Sequence, residues 1–412
     1  MAPVVLKRAF LELLVHRKII IPGPMQVPTA RRAAEIEPFE VMDVLSRAHA
    51  LEAQGRRVVH MEIGEPDFTA PAPVVEAGVR ALRDGRTAYT ATLGLPALRE
   101  AIARHYQEKF RTSVEPDRVA VTAGASGGLL TVAALYVDAG DEVLVPDPGY
   151  PGYRHFVRAF EGVARALPVG AAENFQPTLD MVRAAWGART KGLILGSPSN
   201  PTGTLISGSE LQKIAGFVAE RGGVLVVDEI YQGLVYGEEP RFSPYTALGL
   251  PGEVVIVNSF SKYFCMTGWR LGWVVLPPRA VRAFEKLGQH LFISAPAAAQ
   301  HAAVAAFSQD SVSVLEERRR EFARRRDFLV PELRKAGLSI PAEPRGAFYV
   351  YADCGRDSKA FARDLLESEG VAATPGVDFG ANQTQRYVRF AYTRSMTDIE
   401  EAARGIARFC RR

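Results

Sequence analysis

From about residue 118 to residue 277, short β-branched runs alternate with stretches of helical periodicity. A mostly parallel sheet covered by helices produces that pattern. The strand candidates are residues 119–122, 142–145, 192–195, 223–227, 254–257 and 272–276, and each ends near something polar or glycine-rich. The first leads into Ala123-Gly124-Ala125-Ser126-Gly127-Gly128 and then a helix, the fourth into Asp228-Glu229-Ile230-Tyr231, and the fifth into Ser259-Phe260-Ser261-Lys262. These strand ends are expected to share one rim. Upstream, residues 40–54 are amphipathic and predict a helix, and residues 62–67 predict a turn. Downstream, residues 296–334 read as helical, and beyond Pro341 strands and helices alternate to the end. The pattern suggests a second, α+β domain built partly from both termini.

The stretch NSFSKYFCMTGWRLGW, residues 258–273, sets one lysine, Lys262, among serines, aromatics and glycines, with Arg270 eight residues on. Open α/β sheets bind ligands beyond the carboxyl ends of their strands. A lysine held there among apolar neighbours loses proton affinity and becomes a usable amine nucleophile. A loop lysine that merely caps carbonyls is the bland alternative.

Composition narrows the setting. The chain has 412 residues, 47% hydrophobic and 23% charged, enough for two or three domains with a large core. A net charge of +4 from 50 basic and 46 acidic residues indicates neither nucleic acid nor a membrane surface. Cys265, Cys354 and Cys410 lie far apart, without CxxC spacing, so a reducing, cytoplasmic setting is expected. No run approaches the roughly 18 apolar residues of a membrane span. The seven histidines show no HxxxH or HExxH spacing, and no metal site is expected. Residues 1–28 read as a flexible extension. Glu12 breaks its short apolar run, a secretory signal is not clear, and Met25 is an alternative initiator. In residues 316–327, Glu316/Arg320 and Glu321/Arg325 predict i,i+4 pairs on a solvated helix face.

Pyridoxal phosphate makes specific demands: a lysine to hold its aldehyde as a Schiff base, an acid beside its ring nitrogen, and an anion site for its phosphate. Candidates for all three are present. Asp228 ends a buried strand, where a carboxylate needs a cationic partner such as a pyridinium. Ser259, Ser261 and Arg270 are donors suited to a phosphate dianion. The turn at 124–128 offers backbone N–H groups where a helix starts, although such turns also occur in α/β proteins that bind nothing there.

With these residues in view, the chain resembles the fold type I pyridoxal-phosphate aminotransferases of class I/II. The motifs that carry the resemblance are IGEPDF at 63–68, YT..LG.P.LR at 89–99, TAGASGG at 122–128, PDPGYPGY at 146–153, SPSNPTG at 197–203, DEIY at 228–231, SFSK...MTGWRLG at 259–272, RGAFYV at 345–350 and YVRFAYT at 387–393. They come in family order and span nearly everything but the extension. The resemblance implies an α/β fold with a large domain, residues 61–299, whose mostly parallel seven-stranded sheet lies between helices. It also implies a smaller α+β domain from residues 29–60 and 300–412. Lys262 is implied to hold the cofactor and shuttle a proton, and Asp228 to keep the ring nitrogen protonated. Asn200 and Tyr231 would bond the ring O3′, and Tyr150 would stack on the ring. The Ala125 and Ser126 amides, Ser259, Ser261 and Arg270 would hold the phosphate, with Tyr89 reaching over from a second subunit, which requires a homodimer. Arg389 would bind the substrate α-carboxylate, helped by Asn200 and Gly64, whereas Arg386 does not fit the motif. Taken singly, Tyr150 and Tyr231 could be packing aromatics, and Asn200 and Gly64 turn residues. Together with Lys262, Asp228 and Arg389 in order, they read as a site.

The resemblance also has a gap. Members that take aspartate or glutamate ground the distal carboxylate on an extra cation. Here the matching position in the glycine-rich turn is Ser126, and residues 287–299 carry no arginine or lysine. A neutral donor, such as alanine or an aliphatic or aromatic amino acid, is therefore expected, with 2-oxoglutarate or pyruvate as acceptor. A β-lyase or decarboxylase on the same fold is an alternative. A ligand-sensing regulatory domain is another, although residues 1–28 are too short for a DNA-binding module.

Overall fold

The computed structural model describes residues 28–237 and 252–412. The expectations for residues 1–27, including Met25, lie outside the described residues. Residues Glu37–Arg412 form one compact unit, and the short helix Arg31–Glu35 belongs to the segment before it.

The main sheet has seven strands: β2 (Val119–Thr122), β3 (Glu142–Asp147), β4 (Val163–Pro168), β5 (Thr190–Gly196), β6 (Val224–Asp228), β7 (Glu253–Ser259) and β8 (Gly272–Val275). A short strand, β1 (Val59–His60), precedes them. Their spatial order is β2-β8-β7-β6-β5-β3-β4, and all neighbouring pairs are parallel except those made by β8. Because β8 runs antiparallel between β2 and β7, those two strands point the same way. The carboxyl ends of β2, β3, β5, β6 and β7 therefore share one rim, as the sequence predicts.

Burial on both faces makes these strands read as continuous apolar runs. Period-two alternation still sorts their side chains. Val255 and Val257 pack with Val226, Val274 and the helix Gly124–Tyr136 on one face, while Ile256 joins Trp273 and Val275 on the other. Strand β4 is the exception and was not predicted. It is one of the two edge strands, and only Leu167 of its six residues is buried, so no apolar run marks it.

Two smaller sheets stand apart from this one. β1 pairs in parallel with β10 (Val371–Ala372), and β11 (Thr374–Pro375), β12 (Tyr387–Ala391) and β9 (Tyr349–Asp353) form a three-stranded antiparallel sheet. The region read as helical over 296–334 is divided. It forms Ala297–Val304, a 3₁₀ turn at Ala305–Phe307, and Gln309–Lys335. The break falls at Ser308, whose hydroxyl accepts from the Ser311 N–H and starts the long helix afresh.

On that long helix the expected charge pairing needs correcting. Glu321 does meet Arg325 at 3.0 Å, but Arg325 is buried and donates bidentately to Asp67 at 2.8 and 3.0 Å. Glu316 pairs with Lys109 and Arg319 instead of the expected Arg320. This helix face partly fastens the N-terminal loop at Asp67 rather than facing water throughout. The sequence pattern missed it because both Lys109 and Asp67 are more than 200 positions away.

Candidate active site

The shared rim encloses a cavity of about 300 Å³. Gly64, Ala125, Ser126, Tyr150, Asn200, Asp228, Tyr231, Ser259, Ser261, Lys262, Arg270 and Arg389 all line it, from seven separate segments. Of the sequence candidates only Tyr89 does not. It stands 81% exposed, away from the cavity.

Lys262 follows β7 and donates from Nζ to the Gly64 carbonyl at 2.6 Å. Burial pulls its ammonium down to about 8, with the Arg389 and Arg270 charges adding to the shift and Glu65 and Asp228 opposing it. Asp228, the last residue of β6, is buried and accepts from the Tyr153 hydroxyl at 2.9 Å and the Ile230 N–H at 3.0 Å. Those hydrogen bonds and Lys262 favour its ionised form, yet burial wins and raises the carboxyl to about 6. Both of its donors are neutral, which leaves the carboxylate short of a countercharge.

At one end of the cavity, the helix Gly124–Tyr136 starts at Ala123 without a side-chain cap, so its first N–H groups are available to an anion. Gly124 has φ +73°, and a Cβ there would fall 2.5 Å from Arg270 Nη2. Glycine thus lets the helix start and the guanidinium meet around one small volume. The Ser261 N–H donates to Ser259 Oγ at 3.0 Å, which sets the Ser259 hydroxyl beside this corner.

Arg389, from β12, lies at the other end. It is 5% exposed, and among the described residues its donors reach only neutral acceptors: Asn200 Oδ1 at 2.9 Å, Thr374 Oγ1 at 3.2 Å and the Glu62 carbonyl. Its Nε meets no acceptor among the described residues. The rings of Tyr349 and Phe379 lie 4.4 and 4.9 Å from the guanidinium carbon. A buried guanidinium without a bonded carboxylate is a receptor for one.

Sequence reasoning missed several contributors. Tyr153 positions Asp228, and the Tyr349 hydroxyl shares a hydrogen bond of 2.8 Å with that of Tyr231. Phe39, Val41, Ile230, Phe379 and Asp378 complete the wall. Tyr153 and Tyr349 sit inside recognised motifs, a usable signal. Phe39 and Asp378 have none, since only folding brings them to the rim. A histidine cluster was missed as well: His49, Glu52 and His60 come together although their spacing matches no metal motif.

The site therefore pairs an amine of lowered proton affinity with a buried carboxylate, an anion corner and a carboxylate receptor. Comparison with known proteins agrees. Residues 56–406 match the model of the aminotransferase class I and II family. A valine–pyruvate aminotransferase of Mycobacterium tuberculosis is 40% identical over 90% of this chain and 96% of its own length. A (5-formylfuran-3-yl)methyl phosphate transaminase of Methanocaldococcus jannaschii is 38% identical over 92% and 99%. The solved structure of aspartate aminotransferase from Thermus thermophilus with maleate superposes with a TM-score of 0.87 at 35% identity, covering 93% of this chain and 99% of that one. The chain belongs to the class I and II aminotransferase family. It is an aminotransferase, and the family depends on pyridoxal phosphate. The uncapped helix start, the cradle that a Cβ on Gly124 would fill and the uncompensated Asp228 all fit that group.

Proposed function

We propose that this cavity moves an amino group between a neutral L-amino acid and a 2-oxo acid in two alternating half-reactions. One observation carries the reading: buried Arg389, bonded only to neutral groups, shares a 300 Å³ cavity with the amine of Lys262. A substrate α-carboxylate held by the arginine fork brings its Cα toward the lysine.

Pyridoxal phosphate, when bound, supplies an electron sink for the carbanion formed at the substrate Cα. Lys262 would hold its aldehyde. With a pKa near 8, the lysine amine, when free, is suited to take the proton from the substrate Cα. Asp228, oriented by Tyr153, would keep a proton on the ring nitrogen, and Tyr150 would lie against the ring. Asn200 spends Oδ1 on Arg389, leaving Nδ2 to join Tyr231 as a donor to the ring O3′. The Ala125 and Ser126 amides, Ser259, Ser261 and Arg270 would hold the phosphate, and Gly64 the substrate carboxylate edge.

The preference for a neutral donor follows from the cavity's charges. Among the described lining residues the cations are Lys262, Arg270 and Arg389, each already assigned. Asp378 adds a carboxylate to the wall, and Phe39, Val41, Ile230 and Phe379 add apolar surface. A second substrate carboxylate would be buried unpaired beside Asp378, at a cost of several kcal/mol. The valine–pyruvate relative points the same way.

We also propose a homodimer in which Tyr89 completes the partner's phosphate site. Its support is the exposure of Tyr89 together with that of Val75, Val79 and Leu82 on the helix Ala72–Arg83. The two-domain division at 61–299 against 29–60 with 300–412 is part of the same proposal. It is supported by β1 pairing with β10, and by β9, β11 and β12 forming a sheet separate from the seven-stranded one.

Initial rates for alanine, valine, phenylalanine and aspartate with pyruvate and 2-oxoglutarate test the reading. A kcat/KM for a neutral donor about 100-fold above that for aspartate, or about 3 kcal/mol, is expected. A preference for aspartate refutes it. Release of ammonia without an oxo acid would mark a lyase.

A further inference from the structure

Away from the cavity, three side chains from two elements converge. His49 and Glu52 lie one turn apart on the helix Glu40–Glu52, and His60 ends β1; one ligand atom from each falls within 4.8 Å of the others. Beneath them is Glu62, whose side chain is fully buried. The Nδ1–H of His60 donates to Glu62 Oε1 at 2.7 Å, and Glu62 Oε2 has no partner among the described residues. The other ring nitrogen, Nε2, faces Glu52 Oε1 at 3.1 Å.

We infer that His49, Glu52 and His60 Nε2 form a three-ligand site for a divalent cation of the zinc class, with a fourth position open to water. Two features distinguish the arrangement from a chance surface cluster. Metal-ligating histidines almost always donate their second ring N–H to a carboxylate or carbonyl, which fixes the tautomer and aims the free lone pair. The buried Glu62 does that for His60. Without a cation, a proton on Nε2 links His60 to Glu52, and a metal ion would take that proton's place between the same two groups. The donor set, two imidazoles and a carboxylate, suits zinc and its neighbours in the transition series rather than calcium or magnesium, which take oxygen ligands. Two carboxylates, Glu52 and Glu62, also match the charge of a 2+ ion.

The geometry is within reach of closure. Tetrahedral bonds of about 2.0–2.2 Å put ligand atoms roughly 3.3–3.5 Å apart. The His60–Glu52 pair is already at 3.1 Å, and the separations to His49, at most 4.8 Å, need to shrink by no more than about 1.5 Å, which rotation of the exposed His49 side chain can supply. His60 and Glu62 are the fixed half of the site. Their backbone continues directly to Gly64, and the Glu62 carbonyl accepts from both Arg389 and Thr374.

The test uses the holoenzyme, stripped with a chelator, desalted and titrated with Zn²⁺ alone against a chromogenic competitor. One Zn²⁺ per chain is expected at this site. Its affinity should fall at least about 10-fold in His49→Ala and in Glu52→Gln, both exposed positions whose loss leaves the fold intact. Glu62→Gln should weaken binding by roughly 10–100-fold with all three ligands still present. Co²⁺ bound in place of zinc should show the visible bands of a four-coordinate centre, and these should vanish in His49→Ala. Zinc uptake unchanged in both exposed variants, or no uptake beyond that of a His49/Glu52/His60 triple variant, would overturn the assignment.

Discussion

Replacing Asp228 by asparagine tests whether this carboxylate is held for a bound cation at the expense of the empty protein. The substitution keeps size and shape. Oδ1 can still accept from the Ile230 N–H, and Nδ2 can donate to the Tyr153 oxygen. What it removes is the cost of burying a charge. The Asp228 carboxyl titrates near 3.8 when exposed and near 6 in the folded protein, so the folded state binds more protons in between. Stability of the cofactor-free protein therefore falls as pH rises from about 4 through 6 and levels off above that. The difference between the two titration points amounts to about 3 kcal/mol at pH 7.5 and roughly half that at pH 5. In urea unfolding, cofactor-free Asp228→Asn should exceed the wild type by about that amount at pH 7.5, with the gap shrinking toward pH 4.5. With pyridoxal phosphate present the order should reverse, because the variant retains the cofactor less well and loses activity by orders of magnitude. A variant less stable than wild type at pH 7.5 without cofactor, or a gap that does not change with pH, refutes the electrostatic argument.

Further outcomes are expected elsewhere. Arg389→Lys keeps the charge but loses the fork, and Arg389→Ala loses both; kcat/KM should fall for every α-carboxylate substrate, by at least about 1.5–3 kcal/mol in the alanine variant. A loss confined to one substrate would place Arg389 in side-chain selection. Gly124→Ala forces a Cβ onto Arg270 and strains a φ of +73°, so equilibrium dialysis should show pyridoxal phosphate binding weakened by at least about 10-fold with little change in far-ultraviolet circular dichroism. Asp67→Ala strips the buried Arg325 of its bidentate partner and should destabilise the protein by about 3 kcal/mol in denaturant titrations, whereas Glu321→Ala, which removes a single hydrogen bond to Arg325, should cost less.

The local chemistry of strand ends was legible because it obeys short-range rules. Apolar runs marked β2, β3, β5, β6, β7 and β8 to within two residues at each end, and for all of them but the antiparallel β8 the residues after the run could be read as facing the rim. Residues that act through neighbours in sequence, such as Ser259, Ser261 and Lys262, were legible for the same reason. The edge strand β4 was not, since a strand with one buried residue in six leaves no apolar pattern.

By itself the sequence determined the sheet that builds the rim, the amine at its centre and the ordered motifs that mark the family. Those depend on periodicity and on chemistry carried by consecutive residues. Only the tertiary structure decided the protonation balance, because burial, not residue type, sets Asp228 near 6 and Lys262 near 8. It also decided the pairings across more than a hundred positions, Tyr349 with Tyr231 and Arg325 with Asp67, and, over a shorter span, His49 with His60 across the gap between a helix and a strand. A hydrogen bond or an ion pair needs its two groups about 3 Å apart, and that distance is a property of the packed chain rather than of residue order.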